Sequence, residues 1–266
     1  MRERPGSRVG TAPRALLAVL LLALVGGVGL ARGEQAQRGD LIVSLDGHLS
    51  PLKLPREHAA PVAVELEGGL RTSDGAVLPR VSRVELGLPA QATIFTRGLP
   101  VCSLRRLDNT TTAKALDACR EALVGRGRLQ ADVVLPNQQP FRISTRLLAF
   151  NARIDGHRAL ILHAIANHPP TAVVVPFRFR HGAGRFGVAL VANLPRALGP
   201  YPHFSHFELT LSRHFSYRGR PRSYVSASCP IPKRFTAGFF SFARAGFTLA
   251  DGGQIGTAIA RGCRAR

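Results

Sequence analysis

The chain carries few of the short fingerprints that mark a catalytic or cofactor site. There is no GxSxG elbow, no HExxH pair and no P-loop. Those absences remove the hydrolase elbow, the zincin helix and the phosphate cradle, and no catalytic residue or cofactor is expected. No CxxC pair exists either, so a structural zinc site lacks its close-spaced ligands. Lysine is scarce, at Lys53, Lys114 and Lys233 alone, and 16 acidic side chains face 36 basic ones. Helical periodicity is nearly absent beyond residue 40, which excludes a doubly wound α/β sheet.

What is present begins with a targeting layout. Arg2, Arg4, Arg8 and Arg14 precede Ala15–Ala31, an uninterrupted apolar run of 17 residues. This is the plan of a signal peptide, with Gly26, Gly27 and Gly29 loosening the cleavage side and a cut expected after Ala31. An uncleaved anchor over residues 15–31 is the alternative, because such a run spans a thinned bilayer. Either reading places the remainder outside the cytoplasm, secreted or in the cell envelope. Residues 32–39 then read as a linker, and 40–266 as a β domain with a weak break near 155.

Cleavage removes four Arg and one Glu, leaving 32 basic and 15 acidic side chains and a formal charge of +17. Charge of that size favours acidic partners: an anionic cell-wall polymer, nucleic acid or other polyanion, or an anionic lipid surface. The Arg, Ala, Gly and Pro content also fits a GC-rich genome, which accounts for part of the arginine.

From residue 40 onward, short alternating runs are separated by Gly, Pro, Asn and Asp, the pattern of strands and turns. Val62, Val64 and Leu66 alternate with Ala63, Glu65 and Glu67, and Val84, Leu86 and Leu88 read as their hairpin partner across Ser73-Asp74-Gly75. Further strands are expected at 41–46, 128–135, 140–150, 158–166, 171–180, 185–192, 204–217, 222–228, 236–249 and 254–260. One helix interrupts them, Thr111–Leu123, with Ala115, Leu116, Cys119 and Leu123 on one face and Asn109 or Thr110 as cap. The fold class is therefore all-β, an antiparallel sandwich or partly closed barrel with one short, disulfide-tied helix insert.

Four cysteines permit three connectivities. The local pairs Cys102–Cys119 and Cys229–Cys263 close modest loops without crossing the chain, and are the expected disulfides in an oxidising compartment.

Three groups of side chains invite chemistry. Asp132, Asp155, Glu208 and Asp251 offer carboxylates without a pairing that spacing fixes. His206 and Glu208 share a strand face about 7 Å apart, with His203 and His214 nearby in sequence, yet this reads as a polar strand face and no metal is expected. Asn109-Thr110-Thr111 has sequon composition and reads as a capping loop. The densest signal is the hairpin Arg213–Arg222, where Arg213, Arg218, Arg220 and Arg222 flank a Gly219–Pro221 tip beside Tyr217. Arg178, Arg180 and Arg185 surround a second turn, His181-Gly182-Ala183-Gly184, read as a hairpin rather than a phosphate cradle. Arginine forks suit phosphate or carboxylate, so both clusters are candidate polyanion sites.

The opening GDLIVSLDGHLSPLKLPREHAAPVAVELEG, the segments RGLPVCSLRRL and ALDACREALVGRGRL, and the closing RSYVSASCPIP, GFFSFARAGFTL and RGC resemble uncharacterised exported proteins of Actinobacteria. The likeness spans nearly all of the chain after residue 31. It implies an exported, Cys-paired, β-rich protein of a high-GC bacterium and brings no activity, ligand or catalytic residue. The expected function is thus a noncatalytic envelope or extracellular binding or structural module, and the alternative is a secreted hydrolase built on an unrecognised carboxylate pair.

Overall fold

Alternating apolar and polar residues place every second side chain on one sheet face, so a chain of such runs must roll up or stack to bury that face. The computed structural model describes residues 34–167, 170–195 and 199–266. The basic and apolar N-terminal segment, with its expected cut after Ala31, lies outside them. No helix among the described residues is long and apolar enough to cross a membrane.

Thirteen strands form one sheet. Its order is β1 (Glu34–Arg38), β2 (Leu41–Ser50), β5 (Ala63–Thr72), β13 (Pro202–Leu211), β8 (Leu123–Val133), β9 (Phe141–Ile154), β10 (His157–Asn167), β11 (Pro170–His181), β12 (Phe186–Asn193), β6 (Val81–Pro89), β17 (Ala237–Leu249), β18 (Gln254–Ala265) and β3 (Lys53–Leu54). Every ladder is antiparallel except β18 with β3. So broad a sheet cannot stay flat, because neighbouring strands twist. It curls into a partly closed barrel, the second of the two expected architectures.

No ladder joins the first strands to β18 among the described residues, and side chains bridge the seam instead. Arg261 of β18 donates from Nε to the Gly47 carbonyl at 2.7 Å and pairs with Asp46, while Arg38 donates to the Gln254 carbonyl at 2.7 Å.

Register defines two ends. Leu41 faces Thr72, Val133 faces Phe141 and Thr248 faces Gln254 at the open end; Ser50 faces Ala63, Ile154 faces His157 and Ala237 faces Arg264 at the other. The second end is plugged by β4 (Ala60–Pro61), β16 (Val225–Ala227) and β7 (Ala92–Ile94), a small sheet that sets Val62, Tyr224 and Val225 into the core. Beside it, β14 (His214–Tyr217) and β15 (Arg220–Ser223) make a hairpin turned by Arg218 and Gly219, both at positive φ. Phe95 stacks on Phe215 and meets Tyr217 edge-on, and Gly98, at φ 80°, leaves the space that Tyr217 fills.

The helical insert is α1 (Leu104–Leu107) and α2 (Thr112–Cys119), followed by one 3₁₀ turn over Arg120–Ala122. It covers the outer face of β9 and β10, burying Leu107, Ala115 and Cys119 against Leu148, Phe150 and Ile161. His163, fully buried there, meets the Thr110 carbonyl through Nε2 at 3.1 Å, and burial pushes its pKa down. Both expected disulfides form, Cys102–Cys119 and Cys229–Cys263. They fit an oxidising compartment.

Several expectations change. The run expected at 204–217 is two strands, since β13 ends at Leu211 and the chain turns into the β14 hairpin. The run 222–228 is likewise split at Tyr224. Residues 62–66 and 84–88 do not pair; β5 lies between β2 and β13, and β6 between β12 and β17. They meet across the interior, where Val64, Leu66 and Leu88 line one void of about 20 Å³. The cap of α2 is Thr111, whose hydroxyl accepts from Lys114 N–H, rather than Asn109 or Thr110. The expected linker at 32–39 contains β1, and Asp155-Gly156, where a break was expected, is a hairpin turn within the single large sheet.

The seam is testable through acid. Burial would raise the Asp46 pKa, yet the hydrogen bonds from Arg261 and the Gly47 N–H, with the Arg261 charge, hold it below the ordinary value of 3.8. A lowered folded-state pKa gives stability that is present above the ordinary carboxylate range and is lost as pH falls through the folded value. Thermal melts should therefore show Asp46→Asn less acid-sensitive than wild type between about pH 5 and 2, and Arg261→Met less stable by about 1–2 kcal/mol at neutral pH. Identical acid slopes in wild type and Asp46→Asn would sink the seam assignment.

Candidate functional site: an apolar barrel cavity and a basic end

Inward positions of seven strands enclose a cavity of about 410 Å³ toward the open end. Leu129 and Ala131 come from β8, Leu147 from β9, Leu162 and Ala164 from β10, and Val173, Val175 and Phe177 from β11. Phe204, Phe207 and Leu209 of β13 face them, with Val84 and Leu86 of β6 and Phe247 of β17. The small side chains of Ala131 and Ala164 leave the room. Phe204 stacks on Phe247 with ring centroids 5.9 Å apart, forming one wall. Arg80 and Ser82 are the polar side chains among the described lining residues, both near the opening. A second hollow of about 100 Å³ shares Leu129, Ala131, Val173 and Pro202 and extends the apolar surface toward Tyr201. Larger hollows on the outer wall, such as that along Arg126, Arg128 and Glu208, are broad surface grooves.

Space of this kind is costly. At about 24 cal/mol per Å³, a sealed void of 410 Å³ would cost on the order of 10 kcal/mol against a filled core, and the opening lowers that figure for this pocket.

The four sequence-flagged carboxylates do not converge. Asp132 and Asp251 sit at the open end, Asp132 held by Arg142 at 2.8 Å; Asp155 lies in a turn at the plugged end and pairs with Arg178 at 2.7 Å; Glu208 points outward. None lines the cavity. His206 approaches Glu208 at 3.4 Å and Glu67 at 3.7 Å on the outer wall, and no group of three ligands able to hold a metal occurs among the described residues.

No family model, no curated protein and no solved structure matches this chain.

Both arginine clusters fall at the plugged end. Arg178 and Arg180 lie near the end of β11 and Arg185 in the turn to β12, and the β14–β15 hairpin carries Arg218, Arg220 and Arg222. Residues 182–187 spell GAGRFG, letter for letter a dinucleotide fingerprint, but a strand follows, so no helix N-terminus faces a phosphate. Arg213 pairs with Glu121 at 3.7 Å, Arg222 lies 5.2 Å over the Phe95 ring and Arg218 5.3 Å over Tyr217. The segments at this end (50–63, 88–101, 119–123, 153–158, 178–186 and 211–236) hold fifteen Lys and Arg against three acids, Glu57, Glu121 and Asp155. At the open end (38–41, 70–81, 132–142, 194–202 and 249–254) the described residues carry four of each sign.

Sequence reasoning found the arginines and missed the cavity, because each lining residue by itself reads as core. The cavity predicts its own stability test. Ala131→Leu should fill space without clash and raise stability by about 0.5–2 kcal/mol in denaturant unfolding. A loss of similar size would show that the space is already filled.

Proposed function

We propose that the protein is an extracytoplasmic, noncatalytic binding protein whose barrel takes an apolar molecule, or the apolar part of an amphiphile, through its open end. The observation that carries this reading is the cavity of about 410 Å³, lined by aliphatic and aromatic side chains. Ligand sites are concave, mostly apolar and about 300–1,000 Å³, with a few polar groups that orient the ligand. Arg80 and Ser82 stand where such a group would be met. The lining supplies no acid–base pair, and that favours holding a molecule over transforming it. Export is supported by the N-terminal layout and by two disulfides.

cis-Parinaric acid, a fluorescent fatty acid, provides the probe. Wild type should enhance its emission saturably, and unlabelled fatty acid should compete. Ala164→Phe places a ring in the cavity and should weaken binding at least about tenfold, since a filled pocket forfeits the burial of several methylenes. Its melting temperature should not fall. Absence of saturable binding by wild type, or equal binding by a folded Ala164→Phe variant, would remove the reading.

A further inference from the structure

We infer that the plugged end of the barrel docks onto an anionic lipid bilayer, inserting Phe239 and Phe235 among the headgroups while the surrounding lysines and arginines face lipid phosphates. The inference is independent of what the cavity holds.

Phe239 is 86% exposed, the highest value among the exposed large apolar side chains, and Phe235 is 48% exposed. A ring left in water at the start of a strand forgoes burial that an alternating sequence could easily have given it. Register fixes its neighbours. Phe239 pairs with Gly262, Ala237 with Arg264, and Arg264 in turn with Lys53, so Phe239, Arg264 and Lys53 share one face of the sheet. The preceding loop is held rigid rather than left loose. Arg56 donates to the carbonyls of Ile231, Pro232 and Phe235 at 2.9, 3.0 and 2.8 Å, and Arg234 lies 5.2 Å over the Phe235 ring. Lys233 and Arg234 are exposed beside it. Among the described residues, Lys53, Lys233, Arg234 and Arg264 make no ion pair within the chain.

Charge complementarity selects the partner. Fifteen cations against three acids at this end demand an anionic surface, and the open end, with four of each sign among its described residues, does not. A soluble polyanion answers only the charge and leaves both rings in water. The interface of an anionic bilayer answers both, because aromatic rings settle at headgroup depth while basic side chains reach the phosphates. Docked this way, the barrel presents its cavity opening away from the membrane.

The chain contains no tryptophan, so Phe239→Trp makes a single reporter. Vesicles of phosphatidylcholine alone, vesicles that include phosphatidylglycerol, and dextran sulfate supply the three surfaces. The protein with residues 1–31 removed should bind phosphatidylglycerol vesicles, lose that binding as salt rises, and ignore phosphatidylcholine. The Phe239→Trp emission should shift blue on those vesicles and stay unshifted on dextran sulfate. Phe239→Ser should weaken vesicle binding about tenfold and leave dextran sulfate binding unchanged. Lys233→Ser with Arg234→Ser should weaken vesicle binding more than Arg71→Ser with Arg80→Ser at the open end. No binding to phosphatidylglycerol vesicles at low salt overturns the inference. So does bound protein whose reporter does not shift, or vesicle binding that Phe239→Ser leaves intact, which would make the end a site for soluble polyanions.

Discussion

The structure depends on closing a thirteen-stranded sheet that is too wide to stay open and has too few ladder bonds to seal itself. Arg261 resolves this. Its guanidinium reaches from β18 to the Gly47 carbonyl and the Asp46 carboxylate on β2, joining strands at opposite sides of the sheet. An arginine fork suits the task, because it satisfies a carbonyl and a carboxylate at once and stays charged at any physiological pH. A ladder across the same gap would need the two strands in register at about 4.8 Å. Side-chain bridging leaves the circumference larger, and circumference sets how much interior the inward residues must fill.

At the plugged end that interior is filled, by the β4–β16–β7 sheet and by Tyr224, whose hydroxyl is buried and whose pKa burial raises. The Cys229–Cys263 disulfide ties the segment after β16 to β18 and fastens plug to wall. By the loop-entropy relation a 34-residue loop contributes about 4 kcal/mol. The helical insert is fastened separately by Cys102–Cys119 on the outer face. Both reinforcements sit away from the open end, so the cavity region is held by inter-strand ladders and inward apolar contacts. The covalent constraints thus fall on the plugged end and on the outer face, and none falls on the cavity walls.

Local pattern made much of this legible. Alternation located the long strands within a few residues, as at 140–150 against Phe141–Ile154, and the helical face of Ala115 and Cys119 is buried as read. Cysteine spacing identified both disulfides. What failed was non-local. Residues 62–66 and 84–88 both alternate with a turn between them, but hairpin grammar cannot show that each has its two edges taken by strands from elsewhere in the chain. The four-residue helix Leu104–Leu107 is too short to show a period. The cavity was invisible because Ala131 and Ala164 look like any small core residue until the facing strands are known.

The meeting of the two arginine clusters was partly within reach. In an antiparallel sheet, successive turns alternate between ends, so the turns around Asp155 and Gly184, with two strands between them, and the exit of the chain from β13 after two more must fall at one end, and the β14–β15 hairpin follows directly on that exit. What alternation could not supply was the way β18 and β3 bring Arg264 and Lys53 beside Phe239. Concentrating like charge at one end of a fold costs stability through self-repulsion, and pairing relieves only part of it, at Arg178 with Asp155 and Arg213 with Glu121. The opposite end, with its balanced charge, shows that the chain can intersperse acids where repulsion alone governs. The imbalance therefore falls beside the exposed rings of Phe235 and Phe239, and packing within the fold requires neither.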